Sequence, residues 1–562
     1  MEKQWIFLSE NYDKDALLSL SRRLKISPAI SMAMLNRGIN ADNAEEFLHP
    51  SVLHDPFLMA DMAKGTERLK RAIENREKIC IYGDYDADGV SSSAMMYGYF
   101  AAKGIECDVY IPSREGEGYG VNADAVRKIA EGGADIILTV DTGISAVFEA
   151  ELAKELGIDM IITDHHECGD NIPDACAVIN PKRRDCGYPF KMLAGAGVAF
   201  KLICAMEGDS GACLKAWGEY VAMATLADVV PLSGENRTLV CEGLKKLRTE
   251  SVPWFDELAK ASGLNKAGVN SYQAAFMIAP RINAAGRLNN AYLALELLKV
   301  KDAGTARRIA QELEQANARR KELGDAVLKE ASEQIKGADG KKVLVLAGEG
   351  WHAGVIGIAA SRIAELYHKS VILISLKDGE GKGSGRAVQG FNLYDALTYA
   401  KDSLIKFGGH EKAAGLTVKE ENIPEFDRII NEYADKTMKP DDLIPKLYID
   451  CAISCETSLL QLCDEQALLE PFGEGNRKPV FAVMGAQITA LRQTRDGRHL
   501  MLRFLKRGNI FSAIGFGFGA LIDTLGEGDI IDIAATLDIN EYQGNITPQF
   551  QVIDIKRSRL KR

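Results

Sequence analysis

Five short runs of consecutive apolar, largely β-branched residues punctuate the first third of the chain: Lys78–Tyr82, Cys107–Ile111, Ile136–Val140, Met160–Thr163 and Ala177–Asn180. Between them lie stretches with small and apolar residues at helical spacing, among them Ser91–Phe100, Ala123–Glu131 and Ala146–Leu156. Strands alternating with helices predict βαβ units, hence a parallel sheet with helices on both faces. Residues 1 to about 50 carry two short amphipathic pieces, SPAISMAMLNRGI and ADNAEEFLHP, which predict mostly local helices. A long helix is predicted over 300–336, where Ala306, Ile309, Leu313, Ala316, Leu323 and Val327 recur at three-, four- and seven-residue steps. Gly337 and the Ala-Asp-Gly after it end that pattern. A connector between two domains and an ordinary packed helix fit it equally well.

Beyond it, Lys342–Leu346 and Val371–Ser375 read as strands, with a helix starting near Gly357. The segments Gly381–Arg386 (GKGSGR) and Phe407–His410 (FGGH) read as glycine-rich turns. From 446 to 556 the texture changes to short alternating runs, including His499–Leu505, Ile510–Ile514 and Asp529–Ile539. Turns at Asp496-Gly497, Gly508-Asn509 and Gln543-Gly544-Asn545 separate antiparallel strands, and about five of these fit an OB-type barrel.

Composition narrows the class without naming a function. A chain of 562 residues has room for several domains. No apolar run approaches a membrane span, and MEKQWIFLSENYDKD lacks the basic start and apolar core of a secretory signal. Eleven scattered cysteines without CxxC pairs predict reduced thiols in a cytosolic protein, with neither zinc nor disulfides. A net charge of −11 argues against coating nucleic acid by charge alone, although local basic grooves remain compatible with it.

The chemistry gathers where the predicted strands end. Asp84, Asp86 and Asp88 follow the first, Asp141 the third, and Asp164, His165 and His166 the fourth; the helical stretch Val221–Ala227 delivers Asp228. A lone DxDxDG is as readily a solvated acidic turn, and no glutamate closes it as an EF-hand loop would require. Ligands of open α/β sheets sit at the carboxyl ends of the strands, so four such groups converge on one edge. Carboxylates with one or two imidazoles and no thiolate suit manganese or magnesium better than zinc. Two such ions about 3.5–4 Å apart are the usual arrangement for phosphoester hydrolysis. Near the C-terminus Arg492, Arg495, Arg498, Arg503, Lys506 and Arg507 crowd around Phe504, Phe511, Phe516 and Phe518. Most of those rings are expected in the core, and the basic tail Lys556–Arg562 reads as a solvated end.

The ordered set YGDYDADGVSS, TVDTGIS, TDHHE, ATLADVVPL with ENR, APRINAAGRL, GSGR, FGGHEKAAG and EPFGEGNRKPVF spans nearly the whole chain. It resembles the DHH phosphoesterase superfamily, named for the triplet found here as Asp164-His165-His166, and within it the bacterial single-strand-specific exonucleases. The resemblance implies an α/β protein in five parts: an N-terminal helical segment (1–50), a parallel-sheet DHH catalytic domain (51–298), a connector helix (299–337), a smaller α/β DHH-associated substrate domain (338–440), and an OB-like barrel (441–562). It further implies Asp86, Asp88, Asp141, His165 and Asp228 as ligands of two Mn2+ or Mg2+ ions, with Asp141 bridging. Asp84 would either ligate or position water, since Tyr82 stands where many members carry a histidine. His166 would contact the scissile phosphate or leaving group.

On the substrate side, Ser384 and Arg386 would hold a 5′ phosphate and His410 a phosphate near the cut, with Arg114, Arg281 and Arg287 as further contacts. The implied activity is a 5′-to-3′ exonuclease on single-stranded DNA that releases 5′-mononucleotides in DNA repair and recombination. The expected partners are a helicase and a single-strand-binding protein in the cytoplasm. Two rivals make different demands: a DHH phosphoesterase for short or cyclic nucleotides would lack the terminal modules, and an inactive replication scaffold would have lost the metal ligands.

Overall fold

The computed structural model describes residues 3–558 except 115, 119, 338–339, 457 and 543–544. The turn expected at Gln543-Gly544 and the tail from Arg559 onward lie outside the described residues. The chain opens with β1 (Gln4–Phe7), which pairs in parallel with β12 (Lys446–Ile449). The helices Lys14–Leu24 and Pro28–Leu35 follow. These helices are not local. Leu20, Ile30 and Met34 share one buried cluster with Leu462, Phe481, Phe504 and Phe550 of the C-terminal barrel.

The first large sheet has the order β3-β2-β4-β5-β6 and is parallel throughout. Its strands are β2 (Ile79–Gly83), β3 (Cys107–Tyr110), β4 (Ile136–Val140), β5 (Asp159–Thr163) and β6 (Ala177–Ile179). Alternation along each strand sends neighbouring residues to opposite faces. Ile79, Ile81, Ile136 and Leu138 enter the core beneath the helices Met62–Asn75, Ala87–Ala102 and Gly195–Glu207. Cys80, Tyr82, Ile137 and Ile162 enter the opposite core under Ala123–Glu131 and Val147–Glu155. All five residues of β2 and β4 are buried, which is why these strands read as unbroken apolar runs.

The helix Ala303–Ile335 carries its apolar stripe into two cores. Ala306, Ile309, Ala310 and Leu313 pack with the helices of the lobe that carries the parallel sheet. Val327 and Ala331 pack with the next lobe, while Ala316 and Leu323 are half-buried between the two. That lobe has the sheet order β10-β11-β9-β8-β7, built from β7 (Val343–Glu349), β8 (Ser370–Lys377), β9 (Glu380–Arg386), β10 (Lys406–Gly409) and β11 (Ala413–Lys419). Its helix begins at Ala353, where the His352 side chain caps the Gly354 amide, four residues ahead of the expected start.

Two expectations are corrected here. GKGSGR and the Phe407-Gly408-Gly409 stretch are strands β9 and β10, and not turns. The glycines of β9 serve close packing: a Cβ on Gly381, Gly383 or Gly385 would lie 2.4–2.7 Å from Ile374, Leu416 or Leu393.

After β13 (Cys451–Ala452), strands β14 (Phe481–Gln493), β15 (Leu500–Lys506), β16 (Asn509–Gly515), β17 (Ile530–Tyr542) and β18 (Asn545–Arg557) close into a five-stranded barrel of the OB kind, because β14 pairs with both β15 and β17. One contact, β16 with β18, is parallel, so the barrel is not antiparallel throughout. Phe504 is fully buried, Phe511 and Phe518 pack against the core, and Phe516 stands exposed. No helix among the described residues is long and apolar enough to cross a membrane.

Candidate metal centre and anion pocket

The carboxyl ends of β2, β4 and β5 lie side by side, since Gly83 registers with Val140 and Val140 with Thr163. The residues just beyond them therefore meet. Ligand atoms within 4.8 Å of one another define three groups: Asp84, Asp86 and Asp141; Asp141, His165 and His166; Asp88, His165 and Asp228. All the acidic and imidazole residues predicted to bind metal are in these groups. Asp141 and His165 each belong to two of them.

Backbone geometry aims the side chains. Asp141 adopts φ +61°, a left-handed conformation uncommon for a residue other than glycine. Asp86 caps the helix Ala87–Ala102, its Oδ1 accepting from the Asp88 and Gly89 amides at 2.9 and 3.0 Å. Asp88 receives the amides of Gly195 and Ala196, at the start of another helix, at 2.7 and 2.8 Å. Gly195 is required there, because a Cβ would sit 2.4 Å from Asp141 Oδ1. Asp164 is not among the grouped atoms; it accepts from the amides of Ile144, His165 and His166 and pairs with His166 Nδ1 at 2.7 Å. Tyr82 turns away into the sheet core, where its hydroxyl donates to Gly120 O and accepts from Asn122.

The electrostatics are those of a site built for cations. Burial, then repulsion from Asp86, lifts Asp84 well above the carboxylate range; burial and four neighbouring carboxylates do the same to Asp141. Burial followed by Asp86 pushes Asp88 to about 7, and burial followed by Asp88 and Asp86 pushes Asp228 to about 8. Burial and the adjacent His166 hold His165 down at about 3, a neutral imidazole suited to ligation. Burial works against protonation of His166 too, but the hydrogen bond and charge of Asp164 override it and raise the ring to about 9. Oδ1 of Asp84 and Oδ1 of Asp141 are buried without a hydrogen-bond partner, although His165 Nε2 stands 3.1 Å from the latter. Buried acceptors left unsatisfied among so many carboxylates fit hard divalent ions.

Beside this centre lies a cluster of arginines. Arg287 is lowered to about 10 by burial and then by the charges of Arg114, Arg320 and Arg386, with Asp86 opposing. Burial and Arg114 also depress Arg386. Arg386 donates to Ser384 Oγ, Ser361 Oγ and Gly385 O, and Arg114 lies over the Tyr85 ring at 5.2 Å. Cations gathered in a partly buried space, none of them in a salt bridge with a carboxylate of the described residues, make an anion site.

Two further candidates stand outside this arginine cluster. Arg281 is turned onto Glu314 of the long helix and the Met277 carbonyl. His410 is exposed, its Nδ1 accepting from the Lys412 amide. Arg320, which the sequence did not single out, is held by Oδ1 of the fully buried Asn317 at 2.9 and 3.2 Å. The polar Asn317 inside an apolar stripe was the available signal.

Three stretches of the chain match known families. Residues 78–225 match the DHH family N-terminal domain, 340–436 the DHHA1 domain and 449–554 the RecJ OB domain. The single-stranded-DNA-specific exonuclease RecJ of Bacillus subtilis is 39% identical over 550 residues, covering 96% of this chain and 70% of that protein. The RecJ of Escherichia coli is 33% identical over 88% of this chain and 90% of its own length. The crystal structure of RecJ from Thermus thermophilus in complex with Mn2+ superposes with a TM-score of 0.87 at 32% identity, over 99% of this chain and 80% of that one. The Mg2+ complex gives 0.80 at 30% identity, over 99% and 79%.

Proposed function

The chain belongs to the RecJ family of DHH nucleases, and we propose on that premise that it is a metal-dependent exonuclease removing 5′-mononucleotides from single-stranded DNA, 5′ to 3′, in repair and recombination. The observation that carries this is Asp141, whose carboxylate joins the Asp84–Asp86 group to the His165–His166 group. A carboxylate shared by two cation positions is the hallmark of two-metal phosphoester hydrolysis. Asp86, Asp88, Asp141, His165 and Asp228 would hold Mn2+ or Mg2+, with Asp84 as a further ligand or holder of water. The ions, when bound, supply an activated water and neutralise charge on the phosphoryl oxygens.

The protein's own groups do the rest. His166, kept protonated by Asp164, faces the cluster as a cation able to donate to the scissile phosphate or its leaving oxygen. Arg114, Arg287, Ser384 and Arg386 would grip a terminal 5′ phosphate beside Asp86, which places the cut one nucleotide in and makes the reaction run from that end. Arg281, whose charge is felt by Arg320, would be a further phosphate contact, and His410 would meet a phosphate near the cut.

A groove of about 720 Å³ is lined by Val229, the neighbour of Asp228, with Tyr272 and Phe276, and by Phe472, Arg477 and Phe516, with Glu470, Glu474 and Asp538 also in its walls. It reaches the barrel, where Arg492 and Arg503 line a depression of about 820 Å³. The exposed Tyr272, Phe276 and Phe516 of the groove would stack on bases, and Arg492 and Arg503 on the barrel would meet the backbone of an unpaired strand. Functional divisions near residues 50, 298, 337 and 440 belong to this proposal, supported by the separate cores at either end of the long helix. So do a cytoplasmic location and hand-over of substrate by a helicase and a single-strand-binding protein.

The test is digestion with Mn2+ of long single-stranded DNA labelled at its 5′ or 3′ end, with Asp141→Ala alongside. Early release of the 5′ label as mononucleotide, resistance of duplex and an inert variant are expected. Intact long DNA with cleavage of dinucleotides alone would overturn the substrate, and no hydrolysis of either would overturn the activity.

A further inference from the structure

The motifs ENR (235–237) and EPFGEGN (470–476) have no part in the metal centre or the anion pocket, yet they meet. Arg237, on the helix Gly234–Thr249, is 2% exposed. Its Nε donates to Phe47 O at 2.8 Å, Nη2 to Glu470 O at 2.7 Å, and Nη1 to Leu469 O and Pro471 O at 3.2 and 3.5 Å. The guanidinium stacks 3.8 Å over the Phe47 ring. None of these partners is a carboxylate. A buried guanidinium is tolerated only when its donors are satisfied, so the lobe carrying Arg237 depends on the loop 469–471 being seated.

Neighbouring bonds extend the link in both directions. Asn236 donates to Pro231 O and Met192 O, in the segments that follow Asp228 and precede Gly195. Leu232 N donates to Glu474 O, and Ser271 Oγ to Phe472 O at 2.6 Å. Glu470, Phe472, Gly473 and Glu474 line the groove that also takes in Val229, next to Asp228, and Asp538 and Gln551 of the barrel.

We propose that Arg237 is a positioning residue: by spreading over the carbonyls of 469–471 it fixes the barrel-side wall of the groove, and so sets the grip on the strand beyond the first nucleotides without touching metal or substrate. This rests on the reading of the groove as the path of a single strand. A 5′-phosphorylated trinucleotide needs only the metal centre and the anion pocket, whereas a strand of roughly thirty nucleotides reaches the barrel.

In the full-length protein with Mn2+, Arg237→Gln is expected to raise KM on the long strand at least about tenfold while kcat on the trinucleotide stays within about twofold. A merely structural role would lower both rates in proportion to the folded fraction. Equal loss on the two substrates, or no loss on either, overturns the proposal. Where Arg237→Gln fails to fold, Ser271→Ala, which cuts a separate tie to the same loop, decides: the same split at about threefold supports the proposal, and its absence overturns it. Failure of the wild type on the long strand would instead sink the single-strand reading itself.

Discussion

Gly195→Ala tests whether the metal centre depends on the close approach of a helix N-terminus. The added Cβ would fall 2.4 Å from Asp141 Oδ1, 2.5 Å from its Cβ and 2.6 Å from its Cγ. Carbon contacts are comfortable near 3.5–4.0 Å, so one side must move by about 1 Å or more. Asp141 and the helix start are both buried, so the strain cannot be relieved into solvent, and displacement of the helix start is the outcome tested. Such a shift stretches the 2.7 and 2.8 Å bonds from Gly195 and Ala196 to Asp88 beyond hydrogen-bonding range. A hydrogen bond to a charged group contributes about 1.5–3 kcal/mol, so losing two weakens the fixation of Asp88 by about 3 kcal/mol or more. At 1.36 kcal/mol per decade, that corresponds to a loss of about two orders of magnitude in kcat/KM, with a higher Mn2+ requirement.

The assay is release of 5′ label across an Mn2+ titration, with thermal melts run in parallel. Gly324→Ala is the control: nothing lies within 4 Å of its Cβ position in the helix Ala303–Ile335, so activity is retained and stability rises by about 0.5–1 kcal/mol. Gly195→Ala activity within threefold of wild type, at unchanged Mn2+ half-saturation, would refute the reasoning.

The metal-free protein should lose stability as pH rises. Asp88 and Asp228 titrate at about 7 and about 8 when folded, above the ordinary 3.8, so the folded state binds the extra protons. Stability then falls from about pH 4 through 8, and Mn2+ reverses the fall; melts in EDTA that rise over that window would contradict it. Arg287→Ala should raise KM for 5′-phosphorylated strands about tenfold or more while affecting 5′-hydroxyl strands little, and equal effects on the two ends would remove Arg287 from the anion pocket. Asp141→Asn should abolish hydrolysis yet raise the melting temperature of the metal-free protein at pH 8, because folding with Asp141 must either bury a charge among other carboxylates or take up a proton, and the amide does neither; a lowered melting temperature would argue against that burial penalty.

How far the sequence could be read depended on the range of the forces involved. Ile136–Val140 and Ala123–Glu131 form over the residues their patterns mark, because a strand buried on both faces must be apolar throughout and an amphipathic helix must repeat near 3.6. The convergence of Asp84, Asp86, Asp88, Asp141 and His165 was legible for a similar reason: parallel strands end at one edge, so residues just past them are neighbours whatever the loops do. Strand β9 was not legible, because its glycines carry no pattern of their own and mark only the nearness of Ile374, Leu416 and Leu393.

Arginine marks the limit most clearly. Arg281 and Arg287 stand six residues apart in one motif, yet one faces Glu314 and the other the anion pocket. Arg237, unassigned by its motif, holds carbonyls more than 230 residues away. By itself the sequence determined most of the elements, their order and the chemical character of the metal site, since periodicity and ligand type are local properties. Only the tertiary structure decided which guanidinium meets an anion, a carboxylate or a loop, and that the first helices complete the last barrel. A long side chain has no preferred partner until packing places one within its reach.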